Sequence, residues 1–176
     1  MKKFTWVMGL VLVCTAAVFA QDVPKAEVFG GYSWAGGNFH GWNGSITGNV
    51  NKWFGLSGDF SGHYGSELDG NLRIHKDAHT FLFGPRLSHR GKRFTSFGYV
   101  LFGATRFRES ARIGGQTVSV SDTGSSFVAG GGLDLKVNDR LAIRAFQLDY
   151  FRPNFFGEAH QRGRLAFGLV LRLGKK

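Results

Sequence analysis

Apolar and polar residues alternate with a period of two along most of this chain, most clearly over residues 41–65. The even positions from Trp42 to Val50 and from Leu56 to Tyr64 are apolar or glycine, and the odd positions between them are polar. This period is typical of a β-strand, because a helix would need apolar residues at spacings of three and four. The pattern therefore predicts two antiparallel strands joined by a short link at 51–54.

The same alternation recurs at residues 26–34, 79–88, 94–108, 125–137, 141–152 and 164–174. Most of these segments have about nine or more residues, the length that crosses a bilayer as a tilted strand. The sequence thus predicts an all-β fold, an eight-stranded antiparallel up-and-down transmembrane β-barrel. An even strand count places both chain ends on one side, so that the long links 66–78, 109–124 and 153–163 lie on the other. Within the second of these links, Gly114-Gly115 is a two-residue hairpin signal.

Mid-strand apolar residues are expected to face lipid, namely Phe60, Phe83, Leu101, Leu133 and Leu169. Two strands carry irregularities. Pro85 removes a hydrogen-bond donor from its strand and predicts a local bulge. In the strand 141–152, Arg144 and Gln147 cannot both point inward in one register, so either a bulge intervenes or Arg144 reaches the membrane interface.

Charged residues at inward positions predict a charge network in the lumen, formed by Glu27, Asp59, Arg86, Asp134, Lys136 and Arg172. An eight-stranded barrel has an interior just wide enough for side chains to fill. Because the first and last strands adjoin in a closed barrel, Glu27 and Arg172 are expected to pair. The charges should then interlock and plug the barrel.

The first twenty residues are typical of a secretory signal peptide. Lys2 and Lys3 precede an apolar segment, and small residues precede Gln21. We expect residues 1–20 to be removed and residues 21–176 to form the barrel domain. A membrane anchor is the alternative, although the apolar run is shorter than the roughly 20 residues that span a bilayer. Cys14, the single cysteine, falls in this segment, so the mature chain has no disulfide.

Composition and charge bear on the partners. The net charge is +10, and the chain has 27 glycines and 18 phenylalanines. A secretory signal argues against a nucleic acid partner, so the charge favours an anionic membrane surface. The Phe and Gly content is suited to strands with aromatic girdles.

Candidate catalytic chemistry is confined to Asp59, Ser61 and His63 on one strand face. Neighbours on such a face lie roughly 6.5 Å apart along the strand, beyond the roughly 3 Å that a nucleophile and its base need. We therefore expect no catalytic site. The other histidines are scattered without ligand spacing, so neither a metal site nor a cofactor is expected.

The predicted link 153–163 carries candidates for surface contact. Phe155 and Phe156 are adjacent aromatics that could contact a partner, and girdle positions at a strand end are the alternative. Arg162 lies in the same link. Together with Arg152 and Arg164 it could bind lipopolysaccharide phosphates, or these arginines could form a solvated rim.

Several segments in this order resemble the OmpA-like, opacity-type eight-stranded outer-membrane barrel family: EVFGGYSW (27–34), GNVNKWFGLSGDFSGHYG (48–65), HTFLFGPRLS (79–88), GGGLDLKVNDRLAIRAFQLDYFR (130–152) and LVLRLG (169–174). The resemblance implies a location in the outer membrane of a Gram-negative cell and insertion by the barrel assembly machinery. It also implies contact with outer-membrane lipid and lipopolysaccharide, and a monomer.

The functional hypothesis is a small barrel with a membrane-stabilising or adhesin-like surface role and no enzymatic activity. A narrow porin-like channel and a lipid-modifying enzyme are the alternatives. A soluble lipocalin-like barrel is the alternative fold, and it would require an apolar interior. The sequence does not identify a surface ligand.

Overall fold

The computed structural model describes residues 23–69, 72–113, 116–155, 158–159 and 162–174. For residues 67–69, 72–73, 111–113, 116–117, 154–155 and 158–159, the description is limited to the backbone. The described residues form nine strands: β1 (Ala26–Trp34), β2 (His40–Asn49), β3 (Phe54–Asp69), β4 (Leu72–Arg90), β5 (Phe94–Ile113), β6 (Gln116–Lys136), β7 (Leu141–Phe155), β8 (Glu158–Ala159) and β9 (Arg162–Leu173). Among these residues, no helix is long and apolar enough to cross a membrane.

Eight of the strands form a closed antiparallel barrel, as predicted. Each wall strand pairs with its neighbour in the order β6-β5-β4-β3-β2-β1-β9-β7, and pairing of β6 with β7 closes the ring. The two-residue β8 lies outside the wall and pairs with the end of β7. Lys25 and Gly174 are hydrogen-bonded to each other, so both ends of the barrel chain lie together. We call this the turn end, and the opposite end the hairpin end.

Short turns connect the strands at the turn end. The side-chain oxygen of Asn51 accepts hydrogen bonds from the backbone of Trp53 and Phe54. Asn138 does the same for Arg140 and Leu141, as expected of a tight turn. At the hairpin end, β1 turns into β2 through Gly36 and Gly37, whose φ angles of 85° and 54° are accessible chiefly to glycine.

The strands at the hairpin end are longer than predicted. Residues 66–78 were expected to form a loop, but β3 and β4 remain paired through Glu67↔Ile74 and Asp69↔Leu72. The polar composition misled the prediction, because a hairpin that extends beyond a membrane can be polar on both faces. Between β5 and β6, Ile113 pairs with Gln116. The predicted tip Gly114-Gly115 lies outside the described residues.

The predicted lipid-facing positions are confirmed for Phe60, Phe83 and Leu169, which are exposed on the outside of the wall. Leu133 is half-buried. The prediction for Leu101 was wrong, because this side chain is 1% exposed and points into the barrel.

The error extends along β5, where Phe97 and Tyr99 also point inward, while Val100 and Phe102 are exposed. Both faces of this strand are rich in apolar residues, so the sequence alternation did not distinguish inside from outside. The inward residues join a buried cluster with Leu82, Val128 and Phe151.

Of the two predicted irregularities, only one is a bulge. The pairing of β4 with β5 skips Gly84 and Pro85 but resumes in an unchanged register, from Phe83↔Phe102 to Arg86↔Tyr99. The bulge predicted at Pro85 was therefore wrong. In β7 the register shifts between Arg144 and Gln147, and both side chains are buried in the interior. Of the two alternatives predicted for this strand, the structure thus shows the bulge, and Arg144 does not reach the membrane interface.

Candidate functional site

Charged and amide side chains fill the middle of the barrel in two connected clusters. The lower cluster, toward the turn end, consists of Glu27, Arg86, Arg90, Asp134 and Arg144. The upper cluster, toward the hairpin end, consists of Asn43, Asp59, Tyr99, Gln147, Asp149 and Arg164.

The lower cluster is a chain of charges that alternate in sign. Arg90 Nη2 lies 3.1 Å from Glu27 Oε1, and Arg86 Nη2 lies 3.4 Å from both Glu27 Oε2 and Asp134 Oδ2. Arg144 holds Asp134 with two hydrogen bonds, Nε to Oδ1 at 2.8 Å and Nη2 to Oδ2 at 3.2 Å. Two-point contacts between arginine and carboxylate are among the strongest ion pairs in proteins. The lower cluster thus links four strands, β1, β4, β6 and β7, across the lumen.

Aromatic rings cover two of the three arginines of the lower cluster. The guanidinium carbon of Arg144 lies 4.0 Å from the ring centroid of Phe29 and 4.3 Å from that of Phe97. Arg86 lies 4.0 Å from the Phe97 ring. Guanidinium groups stack favourably on aromatic faces. On β5, the inward orientation of Phe97 is therefore explained by the two arginines that its ring packs against.

The upper cluster is centred on Arg164. Its Nε donates to Asp149 Oδ2 at 2.7 Å, and its Nη1 donates to Asp59 Oδ1 at 2.9 Å. Tyr99 also donates to Asp149. Gly130 makes room for this carboxylate, since a Cβ at that position would lie 2.0 Å from Asp149 Oδ1.

Gln147 joins the two clusters. Its Oε1 accepts a hydrogen bond from Arg144 Nη1 at 2.6 Å, and its Nε2 donates to Asn43 Oδ1 at 3.2 Å and to Asp149 Oδ2 at 3.0 Å. Positions 144 and 147 of a regular strand would face opposite sides of the sheet. The bulge in β7 turns both side chains inward and so makes the network continuous.

Four of the six predicted lumen charges lie in these clusters: Glu27, Asp59, Arg86 and Asp134. Lys136 does not, because it ends β6 at the rim, is 36% exposed and pairs with Asp139 at 2.8 Å. Arg172 lies opposite Glu27 in the register of β1 and β9, yet its Nη2 donates to Thr95 Oγ1 at 3.2 Å. The predicted pair of Glu27 and Arg172 is replaced by the contacts of Glu27 with Arg86 and Arg90.

Sequence reasoning missed Arg164, which was assigned to the rim but is 2% exposed in the interior. A signal was available, since residue 164 has the same parity as the inward Gly168 and Val170 on a strand without irregularity. Asp149 and Tyr99 were not predicted to belong to the charge network. The bulge in β7 changes the direction of Asp149, and Tyr99 lies on the face of β5 that was wrongly assigned to lipid.

The predicted acid, hydroxyl and imidazole on β3 do not act together. Asp59 accepts from Asn43 and Arg164, whereas His63 Nε2 is 2.9 Å from Ser33 Oγ on β1. Ser33 is 0% exposed. Within the described part of the chain, no carboxylate bonds to the second ring nitrogen of His63. No group of three or more His, Cys, Asp or Glu that could hold a metal ion is found among these residues.

Above the upper cluster, the hairpin end contains a cavity of two adjoining chambers. The lower chamber has a volume of about 330 Å³ and the upper one about 700 Å³. Both chambers are lined by Ala35, Phe39, Lys76 and Arg162. His63 lines only the lower chamber.

The sequence matches the family described as outer membrane protein beta-barrel domain over residues 7–169. The chain belongs to this family. The protein is therefore an outer-membrane β-barrel of the Gram-negative type. A comparison with curated proteins finds no match.

Solved structures of other outer-membrane barrels share the fold. The attachment invasion locus protein Ail of Yersinia pestis is 17% identical, with a TM-score of 0.65 over 86% of this chain and 99% of Ail. Another Ail structure contains the heparin analogue sucrose octasulfate. Neisserial surface protein A is 11% identical, with a TM-score of 0.53 over 84% of this chain and 96% of that one. The N-terminal barrel of Pseudomonas aeruginosa OprF is 10% identical, with a TM-score of 0.52 over 84% and 97% of the two chains.

The outer wall of this outer-membrane barrel carries a basic patch near the hairpin end, formed by Arg106 and Arg108 on β5 and His79 on β4. In the register of the two strands, His79 lies opposite Arg106 and Asp77 lies opposite Arg108. With a rise of roughly 3.3 Å per residue and a tilt of about 40°, Arg106 lies about 30 Å along the barrel axis from Phe94. This height is just beyond the apolar band of about 25 Å that such barrels present to lipid. Taking Phe94 as the edge of the apolar band, we expect the basic patch to lie at the level of lipid headgroups.

The predicted surface contact can be located only in part. Arg162 is exposed at the start of β9, and its guanidinium lies 4.9 Å from the ring centroid of Phe39. Phe155 ends β7, where only the backbone is described, and Phe156 lies outside the described residues.

Proposed function

We propose that this protein is a closed, non-enzymatic barrel that stabilises the outer leaflet of the outer membrane and presents its hairpins to surface partners. The observation that carries the proposal is the continuous chain of ion pairs and hydrogen bonds from Arg90 to Arg164, which crosses the lumen from β4 through β1, β6 and β7 to β9. A porin-like channel would need a lumen left open along its length. The burial of Ser33 likewise argues against a lipid-modifying enzyme.

We expect the purified mature protein to show no steady ion conductance in planar bilayers. Removing one partner of a buried ion pair typically costs about 3–5 kcal/mol, so the network should not open spontaneously often enough to carry current. Single-channel recording checks this, with an open porin as the positive control. Reproducible, voltage-independent steps from the folded barrel would contradict the proposal and favour the channel.

The basic patch supports the membrane-stabilising role. Arginine binds phosphate through paired hydrogen bonds, and each basic residue near an anionic membrane surface contributes about 1 kcal/mol. Lipopolysaccharide phosphates at this level would therefore hold Arg106 and Arg108. The hairpin end then faces outward, because lipopolysaccharide occupies the outer leaflet.

We expect lipopolysaccharide to stabilise the barrel by about 2 kcal/mol more than neutral phospholipid does, through these two arginines. The variant Arg106→Gln with Arg108→Gln should lose this difference, while Arg140→Gln at the turn end should keep it. Urea unfolding in vesicles with and without lipopolysaccharide measures the effect. If lipopolysaccharide stabilised the two variants equally, the basic patch would not be its binding site.

The remaining parts of the proposal concern biogenesis and assembly. Residues 1–20 act as a cleaved signal peptide, which is supported by their basic start and apolar core. The barrel assembly machinery inserts the mature chain. A monomer is supported by the pairing of each wall strand on both sides, which leaves no open sheet edge for a second copy.

A further inference from the structure

The cavity at the hairpin end differs in chemistry from the polar interior beneath it. The lower chamber is lined by the rings of Phe39, Phe107 and Phe151 and by Pro153, whereas the barrel below it is filled by ion pairs. Its volume of about 330 Å³ falls within the range of pockets that hold small molecules. An apolar body placed in this chamber would be removed from water and would gain the free energy of apolar burial.

Arg162 sets the net charge of the residues that line the lower chamber. Lys76 and Glu109 also line the lower chamber, but their charges face each other at 3.6 Å. Arg162 has no ion pair among the described residues, and its contact there is with the face of the Phe39 ring. A guanidinium stacked in this way keeps its in-plane N–H groups available to an anion.

The floor of the cavity is closed. Asn43, Asp59 and Arg164 lie hydrogen-bonded to one another beneath it, and His63 at the floor is bonded to Ser33. A molecule that enters from the hairpin end therefore stops in the cavity and does not pass into the lumen.

We propose that this cavity binds a small amphipathic anion, with an aromatic or short aliphatic body in the lower chamber and one carboxylate or sulfonate against Arg162. The binding site goes beyond the membrane-stabilising role and does not depend on it. The apolar rings select the body of the ligand, and Arg162 selects its charge.

The test uses fluorophenylacetate as the probe, followed by fluorine NMR with the mature protein in lipid nanodiscs. Empty nanodiscs correct for partition into lipid. We expect saturable binding with a dissociation constant of about 1 mM or tighter, as for fragments of this size. Fluorophenylacetamide has the same shape without the charge and should bind about tenfold more weakly or worse.

A matched pair of variants isolates the charge. Arg162→Gln should weaken binding of the acid by about tenfold and leave the amide unchanged. Arg152→Gln should change neither, because Arg152 is an exposed residue between the inward Phe151 and Pro153 and so faces away from the cavity. Both arginines are exposed, so the variants should fold. Equal effects of the two variants, equal binding of acid and amide, or binding that does not saturate would each overturn the proposal.

A second variant addresses the apolar body. Ala78 lines the lower chamber, and Ala78→Phe should fill it and abolish binding of both probes. The heat-dependent gel mobility of a folded barrel shows whether this variant has folded. Undiminished binding to folded Ala78→Phe would place the ligand elsewhere. If Ala78→Phe does not fold, the comparison of Arg162→Gln with Arg152→Gln still tests whether the cavity binds the anion.

Discussion

Replacing Arg144 with methionine is expected to lower the free energy of unfolding of the barrel by about 3–5 kcal/mol. Methionine preserves much of the side-chain volume between Phe29 and Phe97 but removes both hydrogen bonds to Asp134 and the one to Gln147. The carboxylate of Asp134 is then left buried with only the longer contact to Arg86. Urea unfolding of the protein folded in lipid vesicles, followed by tryptophan fluorescence, measures the loss.

Two controls separate the ion pair from other effects. Arg140→Met removes an arginine from the exposed turn before β7 and should shift the urea midpoint little. Combining Arg144→Met with Asp134→Leu should cost less than the sum of the two single changes, by about 0.5–3 kcal/mol, because neither charge is left alone. An Arg144→Met midpoint as high as that of Arg140→Met would show that the contact contributes nothing to stability.

Arg164→Ala is expected to have a comparably large effect, with a loss of about 3–5 kcal/mol. This single change leaves Asp59 and Asp149 buried without their shared cation, and it also empties the space that the arginine fills. The same unfolding experiment in lipid vesicles measures it.

Arg162→Ala is the natural control for Arg164→Ala, since it lies two residues earlier on the same strand but is exposed. Its effect should stay within about 0.5 kcal/mol, as for most surface substitutions. If the two alanine variants unfold at the same urea concentration, the upper cluster is not a source of stability.

The barrel architecture was predictable because it depends on a repeating, local pattern. From Trp42 to Asn49 in β2, one face is polar and the other is apolar or glycine, so the alternation alone indicated both the strand and its direction. The prediction failed for β5, where Phe97 and Phe102 lie on opposite faces of the same strand. An aromatic ring is suited to lipid and equally suited to an arginine in the lumen, and the pattern does not distinguish these surroundings.

The sequence by itself determined the strand-rich fold, the closure into an eight-stranded wall and most of the inward acids, because these follow from period-two alternation and from the need to keep charge out of lipid. Only the tertiary structure decided which charges meet. The contacts of Arg86 with Glu27 and of Arg164 with Asp59 join residues from distant parts of the chain. The bulge that turns Arg144 and Gln147 to the same side sets the partners of both clusters. Such pairings depend on the height and direction of side chains across a closed lumen, and spacing along the sequence does not specify either.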